Sequence, residues 1–140
     1  MEGQRVGQPA EWSWYGMTDE EAQPYEIFVE SFGACPVIRL TGEFDLRAAP
    51  DLREALVGVL EAPDAEGKPV LVDMEELSFL DSTIISVLLS AEQLAQRKSR
   101  RVSLVSVPDH VSRIFGVTGI EGVLRSYPTK DDAVAAGSGK

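Results

Sequence analysis

From Tyr25 onward, apolar and polar residues follow periods that name their elements. "YEIFVES" alternates as a half-buried strand does, and "PVIRLTG" follows after a Gly-containing turn at "FGAC", which predicts a β-hairpin. After "EFD" the period lengthens to that of a helix, with Pro50 in the first turn, where proline is tolerated. Ala49, Leu52, Leu56, Val59 and Leu60 then share one face, and Asp51, Arg53, Glu54 and Glu61 the other. "APDAEGKP" interrupts the pattern. "VLVDM" is a short continuous apolar run of the kind shown by a buried parallel strand, and "EELSF" is expected to be a loop. "RVSLVSV" predicts a further strand and "PDHVSRIFGVTG" a short helix ending near Gly119. "VLRSYP" predicts a last short strand and "TKDDAVAAG" a terminal helix. Strands alternating with helices after an opening hairpin predict an α/β sandwich built on a mixed sheet.

The stretch "SFLDSTIISVLLSA" raises the functional question. With residues 82–98 on a helix, Ile84, Ile85, Leu88, Leu89, Ala91, Leu94 and Ala95 form a broad apolar face. Ser82, Ser86, Ser90, Gln93 and Arg97 run along the opposite side. Ser82 is thus the first residue of the solvent stripe, at the helix N-terminus. Asp, Ser and Thr are favoured N-cap residues, so Asp81 or Ser82 can be there for capping alone. An accessible hydroxyl at this place is equally a site where added phosphate would meet unpaired N–H groups and the positive end of the helix dipole. Spacing leaves both readings open.

Residues 1–24 lack this periodicity and are expected to be a mobile polar N-terminal tail. Within them Trp12, Trp14 and Tyr15 bring apolar area that either docks on the domain or forms a short binding motif. The chain of 140 residues is expected to contain one folded domain. Its net charge of −10 disfavours nucleic acid and anionic lipid surfaces and suits a partner with a basic face. There is no run of the roughly 20 apolar residues that a membrane span needs, and no signal-peptide pattern. A single cysteine, Cys35, excludes an internal disulfide, and a cytoplasmic location is expected.

Catalytic constellations are not found. Ser82, His110 and an aspartate lack the Gly-x-Ser-x-Gly elbow of a hydrolase. One His and one Cys do not make a usual zinc site, and no Gly-rich phosphate loop is present. His110, the only histidine, reads as a surface residue at a helix start, and Cys35 as a small apolar residue beside a turn. The expectation is a non-enzyme with no metal or cofactor. The basic run "RKSRR" at 97–101 reads as cations opposing the dipole at a helix C-terminus, or as a salt-bridging surface for an acidic partner.

"LTGEFD" at 40–45, followed by "FLDST", then by the strand "VSLVSV" and by "VTGI", resembles the STAS family of sulfate transporters and anti-sigma factor antagonists. The resemblance covers roughly residues 25–135. It implies a STAS-like sandwich over 25–136, with a mixed sheet of about four to five strands, helices mainly on one side, and a C-terminal tail at 137–140. Without a membrane segment, the soluble antagonist branch is the nearer relative. There the serine after the motif's aspartate is phosphorylated by a partner serine kinase, itself the anti-sigma factor. Unmodified antagonist binds that kinase and sigma factor is released; a metal-dependent phosphatase restores the active form. The resemblance carries over phosphorylation to Ser82 and partner binding to Asp45, Asp81, Ser82, Thr83 and Ser86. Ile84, Ile85 and Ser86 stand where the family usually has Gly-Leu-Gly, and the expectation is that Ile obstructs the close backbone approach glycine allows. The other function class left open is a STAS subunit of a signalling or lipid-transport complex that carries no phosphate switch.

Overall fold

The structure, a computed structural model, describes residues 4–6, 25–63 and 67–137. Trp12, Trp14 and Tyr15 lie outside the described residues. Six strands form one sheet in the order β1 (Gln4–Val6), β2 (Tyr25–Phe32), β3 (Cys35–Phe44), β4 (Val70–Leu80), β5 (Val102–Val105) and β6 (Arg125–Tyr127). The first two pairings are antiparallel and the last three parallel, so the sheet is mixed. Each parallel step is bridged by a helix: α1 (Ala49–Leu60), α2 (Ser82–Arg97) and α3 (Asp109–Thr118). A last helix, α4 (Lys130–Ala136), follows β6.

Period-2 alternation decides which residues meet which helices. Ile27, Ile38, Leu40, Val70, Val72 and Leu104 point to one face, where Leu52 and Leu56 of α1, Leu88 of α2 and Phe115 of α3 close the main core. Val37, Leu71 and Val105 point to the other face, which among the described helices only α4 covers, through Ala133. The expected sandwich, with helices mainly on one side, is what the chain forms.

Two strands extend the sheet beyond the expected pattern. β1 falls within residues 1–24 and pairs with β2 through Gln4↔Val29, Arg5↔Phe28 and Val6↔Ile27. β4 runs on through "EELSF", which is strand and not loop. Its first half is covered on both faces and is buried throughout, Asp73 included, which pairs with Lys130 of α4 at 3.0 Å. Past Met74 the second face is open, so Glu75, Glu76, Ser78 and Phe79 are exposed while Leu77 and Leu80 stay in the core. Two register shifts against β3 break the alternation as well. Gly42 lies at the second shift with φ of 95°, a conformation that glycine adopts without a Cβ penalty.

Candidate functional site

β3 and β4 end side by side, with Phe44 paired to Leu80, and the Asp81 N–H donates to Phe44 O between the two strand ends at 3.3 Å. Each strand is followed by an aspartate in extended conformation that caps a helical turn. Asp45 accepts from the Arg47 N–H at 2.9 Å and opens a short 3-10 turn, Leu46–Ala48, that leads into α1. Asp81 Oδ1 accepts from the Thr83 and Ile84 N–H groups at 3.0 and 3.3 Å and opens α2. Two capped turns therefore stand together at the carboxyl ends of adjacent parallel strands, where open α/β sheets form their binding sites.

Asp81 does the capping, which answers the question that spacing left open. Ser82 is the first residue inside the helix and is exposed. Among the described residues neither its hydroxyl nor its N–H has a hydrogen-bond partner. An oxyanion carried on Ser82 Oγ would meet that free N–H and the positive end of a 16-residue helix. Ser86, one turn on, is exposed, and Thr83 is half-buried. Asp45 is also tied to its own turn: its carboxylate accepts from Arg47 Nε at 3.3 Å and Nη2 at 3.2 Å. That side-chain hydrogen bond holds the Asp45 carboxyl below the usual carboxylate range and holds the Arg47 guanidinium above its own. All five residues carried over from the resemblance thus belong to one surface.

Ile84 and Ile85 do not obstruct that surface. They are 0% and 6% exposed and point into the core. The feature missed in the sequence is Leu46, which stands 68% exposed in the 3-10 turn. The available signal was the repetition of a strand-ending aromatic or leucine, then aspartate, at Phe44–Asp45 and Leu80–Asp81.

Within the basic run at 97–101, Arg97 is exposed in the last turn of α2, as the dipole reading expects, whereas Arg100 and Arg101 are part of the framework. Arg100 is buried, and it donates to the carbonyls of Lys68 at 2.6 Å and of Val59 and Leu60 at 3.2 Å each, so it satisfies the last turn of α1 rather than of its own helix. Burial lowers its pKa. Arg101 pairs with Glu92, a fully buried residue of α2 that also accepts from the Val102 N–H at 2.8 Å and from Gln96 Nε2 at 2.7 Å. Neither arginine is a free surface cation. Cys35 is buried, which pushes its thiol pKa up, and His110 is exposed at the start of α3. Among the described residues, no group of three His, Cys, Asp or Glu side chains is placed to hold a metal ion, and no helix is long and apolar enough to cross a membrane.

A mixed sheet with helices mainly on one face, and a capped serine turn at the strand ends, defines a STAS domain. The chain belongs to that family: the family model described as "Mlab, STAS domain" matches residues 27–126. Among its relatives is the anti-sigma-B factor antagonist of Listeria monocytogenes, 35% identical over 88 residues, which are 62% of this chain and 74% of that protein. Solved structures agree in fold. An anti-sigma factor antagonist from Mycobacterium paratuberculosis superposes with a TM-score of 0.69 at 24% identity, covering 80% of this chain and 92% of that one. The anti-sigma factor antagonist SpoIIAA in its unphosphorylated form gives 0.66 at 22% identity, over 79% and 94% of the two chains. The phosphorylated form of SpoIIAA gives 0.60 at 21% identity, over 79% and 97%.

Proposed function

We propose that this protein is an anti-sigma factor antagonist, switched by phosphorylation at Ser82. Unphosphorylated, it binds an anti-sigma factor serine kinase and so releases sigma factor; phosphorylated, it lets the kinase go. A metal-dependent serine phosphatase would return it to the binding form. The observation that carries the reading is the division of labour at the start of α2. Asp81 caps the helix, and Ser82 is left exposed with its hydroxyl uncommitted. Asp45, Asp81, Thr83 and Ser86 would frame the contact. On this reading the protein supplies an acceptor hydroxyl and a shape, catalyses nothing itself, and works in the cytoplasm with its kinase and phosphatase.

Electrostatics give the switch its sign. A phosphoserine adds about −1.5 to −2 charges beside Asp81, in a chain whose net charge is already −10. Within the fold the helix N-terminus tolerates that charge. Under a docked partner it must be desolvated without a built counter-charge, and its bulk displaces the partner surface. The expected weakening is about 10- to 1000-fold, roughly 1.5–4 kcal/mol. The test is incubation with the purified cognate kinase and Mg-ATP, then titration of the kinase with each form. One phosphate should enter wild-type protein and none Ser82→Ala, and the phosphorylated form should bind at least 10-fold more weakly. Equal binding of the two forms would refute the switch.

A further inference from the structure

Leu46 and Ser82 are structural counterparts. Phe44 and Leu80 are paired across β3 and β4, each is followed by a capping aspartate, and Leu46 and Ser82 are the first residues of the two turns those aspartates open. One turn offers a hydroxyl to solvent, and its neighbour offers an isobutyl group.

We propose that Leu46 is the apolar anchor by which the anti-sigma factor kinase docks on this protein, seated in a hydrophobic recess of the kinase beside the site that receives Ser82. The inference rests on the reading of Ser82 as the phosphoacceptor. Single exposed apolar residues are common on protein surfaces and carry no meaning alone. Three observations set Leu46 apart. It is 68% exposed although the flanking Phe44 and Ala48 are fully buried, so its backbone is fastened on both sides. The turn is closed by the Ala48 N–H to Asp45 O bond at 2.9 Å and by the Asp45–Arg47 clasp. The turn also contacts α2. The leucine is thus presented in a fixed place, and a partner that covers it loses little chain entropy in doing so. Asp45 still borders the contact, but its charge is matched by Arg47. What this corner of the site has left to offer is apolar area.

Division of roles follows. Leu46 contributes to the encounter whatever the state of the hydroxyl, whereas Ser82 decides whether the encounter lasts. Leu46 is a specificity-determining contact and takes no part in phosphoryl transfer.

The experiment compares wild type, Leu46→Ser, Ser82→Ala and Val117→Ser as full chains with the purified cognate anti-sigma factor kinase. Val117 is 88% exposed at the far end of α3 and serves as a control for loss of any surface apolar group. Initial phosphorylation rates give KM and kcat, calorimetry gives Kd for the unphosphorylated forms, and thermal melts check folding. Leu46→Ser should raise KM and Kd by about 10- to 100-fold, from the apolar area it removes. Its kcat should stay within about twofold and its melting point unchanged, because the side chain is already in water. Val117→Ser should match wild type. If Leu46→Ser binds and is phosphorylated like wild type, or if Val117→Ser weakens binding as much, the anchor is wrong while the Ser82 reading stands. If wild type accepts no phosphate at Ser82, the proposed function fails and the inference falls with it.

Discussion

Asp81 can be asked to separate helix capping from the proposed partner contact, because the helix uses only one of its two carboxylate oxygens. Oδ1 accepts from Thr83 N–H and Ile84 N–H. Among the described residues nothing donates to Oδ2, which leaves it for a partner. Asp81→Ala removes both functions. Replacing a capping Asp by Ala costs about 0.5–2 kcal/mol; the Thr83 N–H loses its acceptor while the Ile84 N–H keeps its bond to the Asp81 carbonyl at 3.1 Å, so the middle of that range, about 1 kcal/mol, is expected. For a domain near this size, that corresponds to a fall in Tm of roughly 4–8 °C. Asp81→Asn keeps a side-chain carbonyl that caps as well as a carboxylate, and loses only the attraction of a charge for the dipole, about 0.3–1 kcal/mol. Its amide nitrogen, however, replaces the free acceptor by a donor. The expected pattern is therefore asymmetric. In urea unfolding, Asp81→Asn should lie close to wild type and Asp81→Ala well below it. In titrations with the kinase, both should bind more weakly, by about 10-fold or more if the lost contact is a charge-assisted hydrogen bond. Equal destabilisation by Asn and Ala would refute the assignment of Oδ1 as the cap. Full affinity in Asp81→Asn would remove Asp81 from the partner contact.

Glu92→Ala should be far more damaging than its position on a helix surface map suggests. It strands the buried Val102 N–H and unpairs Arg101, which should cost about 3–5 kcal/mol in denaturant unfolding, whereas Glu92→Gln keeps an acceptor and should cost less than half as much. Residues 25–136 are proposed as the self-sufficient domain. A chain beginning at Gln23 loses the three-residue pairing of β1, yet should unfold cooperatively within about 8 °C of the full chain, and a larger drop, more than roughly 1 kcal/mol, would show that residues 1–22 contribute to its core.

Where an element has one face in water, the other in the core and an unbroken register, its period was legible in the sequence. The hairpin of β2 and β3, and helices α1 to α4, follow periods of 2 and 3.6 because burial on one side alone imposes them. β4 shows the limit. Over Val70–Met74 it is covered on both faces and reads as a strand, but over Glu75–Leu80 the covering helix is gone and two register shifts scramble the period. Charge was misleading for a related reason. Glu92 lies four residues after Leu88 and three before Ala95, so the helical period itself put it on the apolar face; its acidic side chain disguised the position. Arg100 carried no such signal. Its acceptors lie on α1 and at Lys68, and only the packing of α1 against the start of β4 and β5 brings them within reach. At the functional site the aspartate-serine pair was visible, but not which of the two was the cap. Both satisfy the same preference, and the choice rests on the extended backbone of Asp81.

The departure from the family's Gly-Leu-Gly acquires a different meaning once side-chain directions are known. Ile84 and Ile85 face inward, so their bulk fills the core beneath the site rather than the surface above it. Replacing glycine in a helix also removes a conformational cost of about 0.5–1 kcal/mol, partly offset by the lower propensity of a β-branched side chain. The first turn of α2 is consequently a firm platform, and a phosphate on Ser82 is expected to alter what the surface attracts rather than the fold beneath it. Of the three differing positions, Ser86 is the one that reaches solvent. It lies one helical turn from Ser82, where side chains four residues apart are neighbours roughly 5–6 Å apart at Cβ. A partner shaped for glycine there would meet a Cβ and a hydroxyl, while a partner able to hydrogen-bond that hydroxyl would gain a contact. On the proposed reading the substitution bears on which kinase fits, while the Ser82 hydroxyl stays exposed.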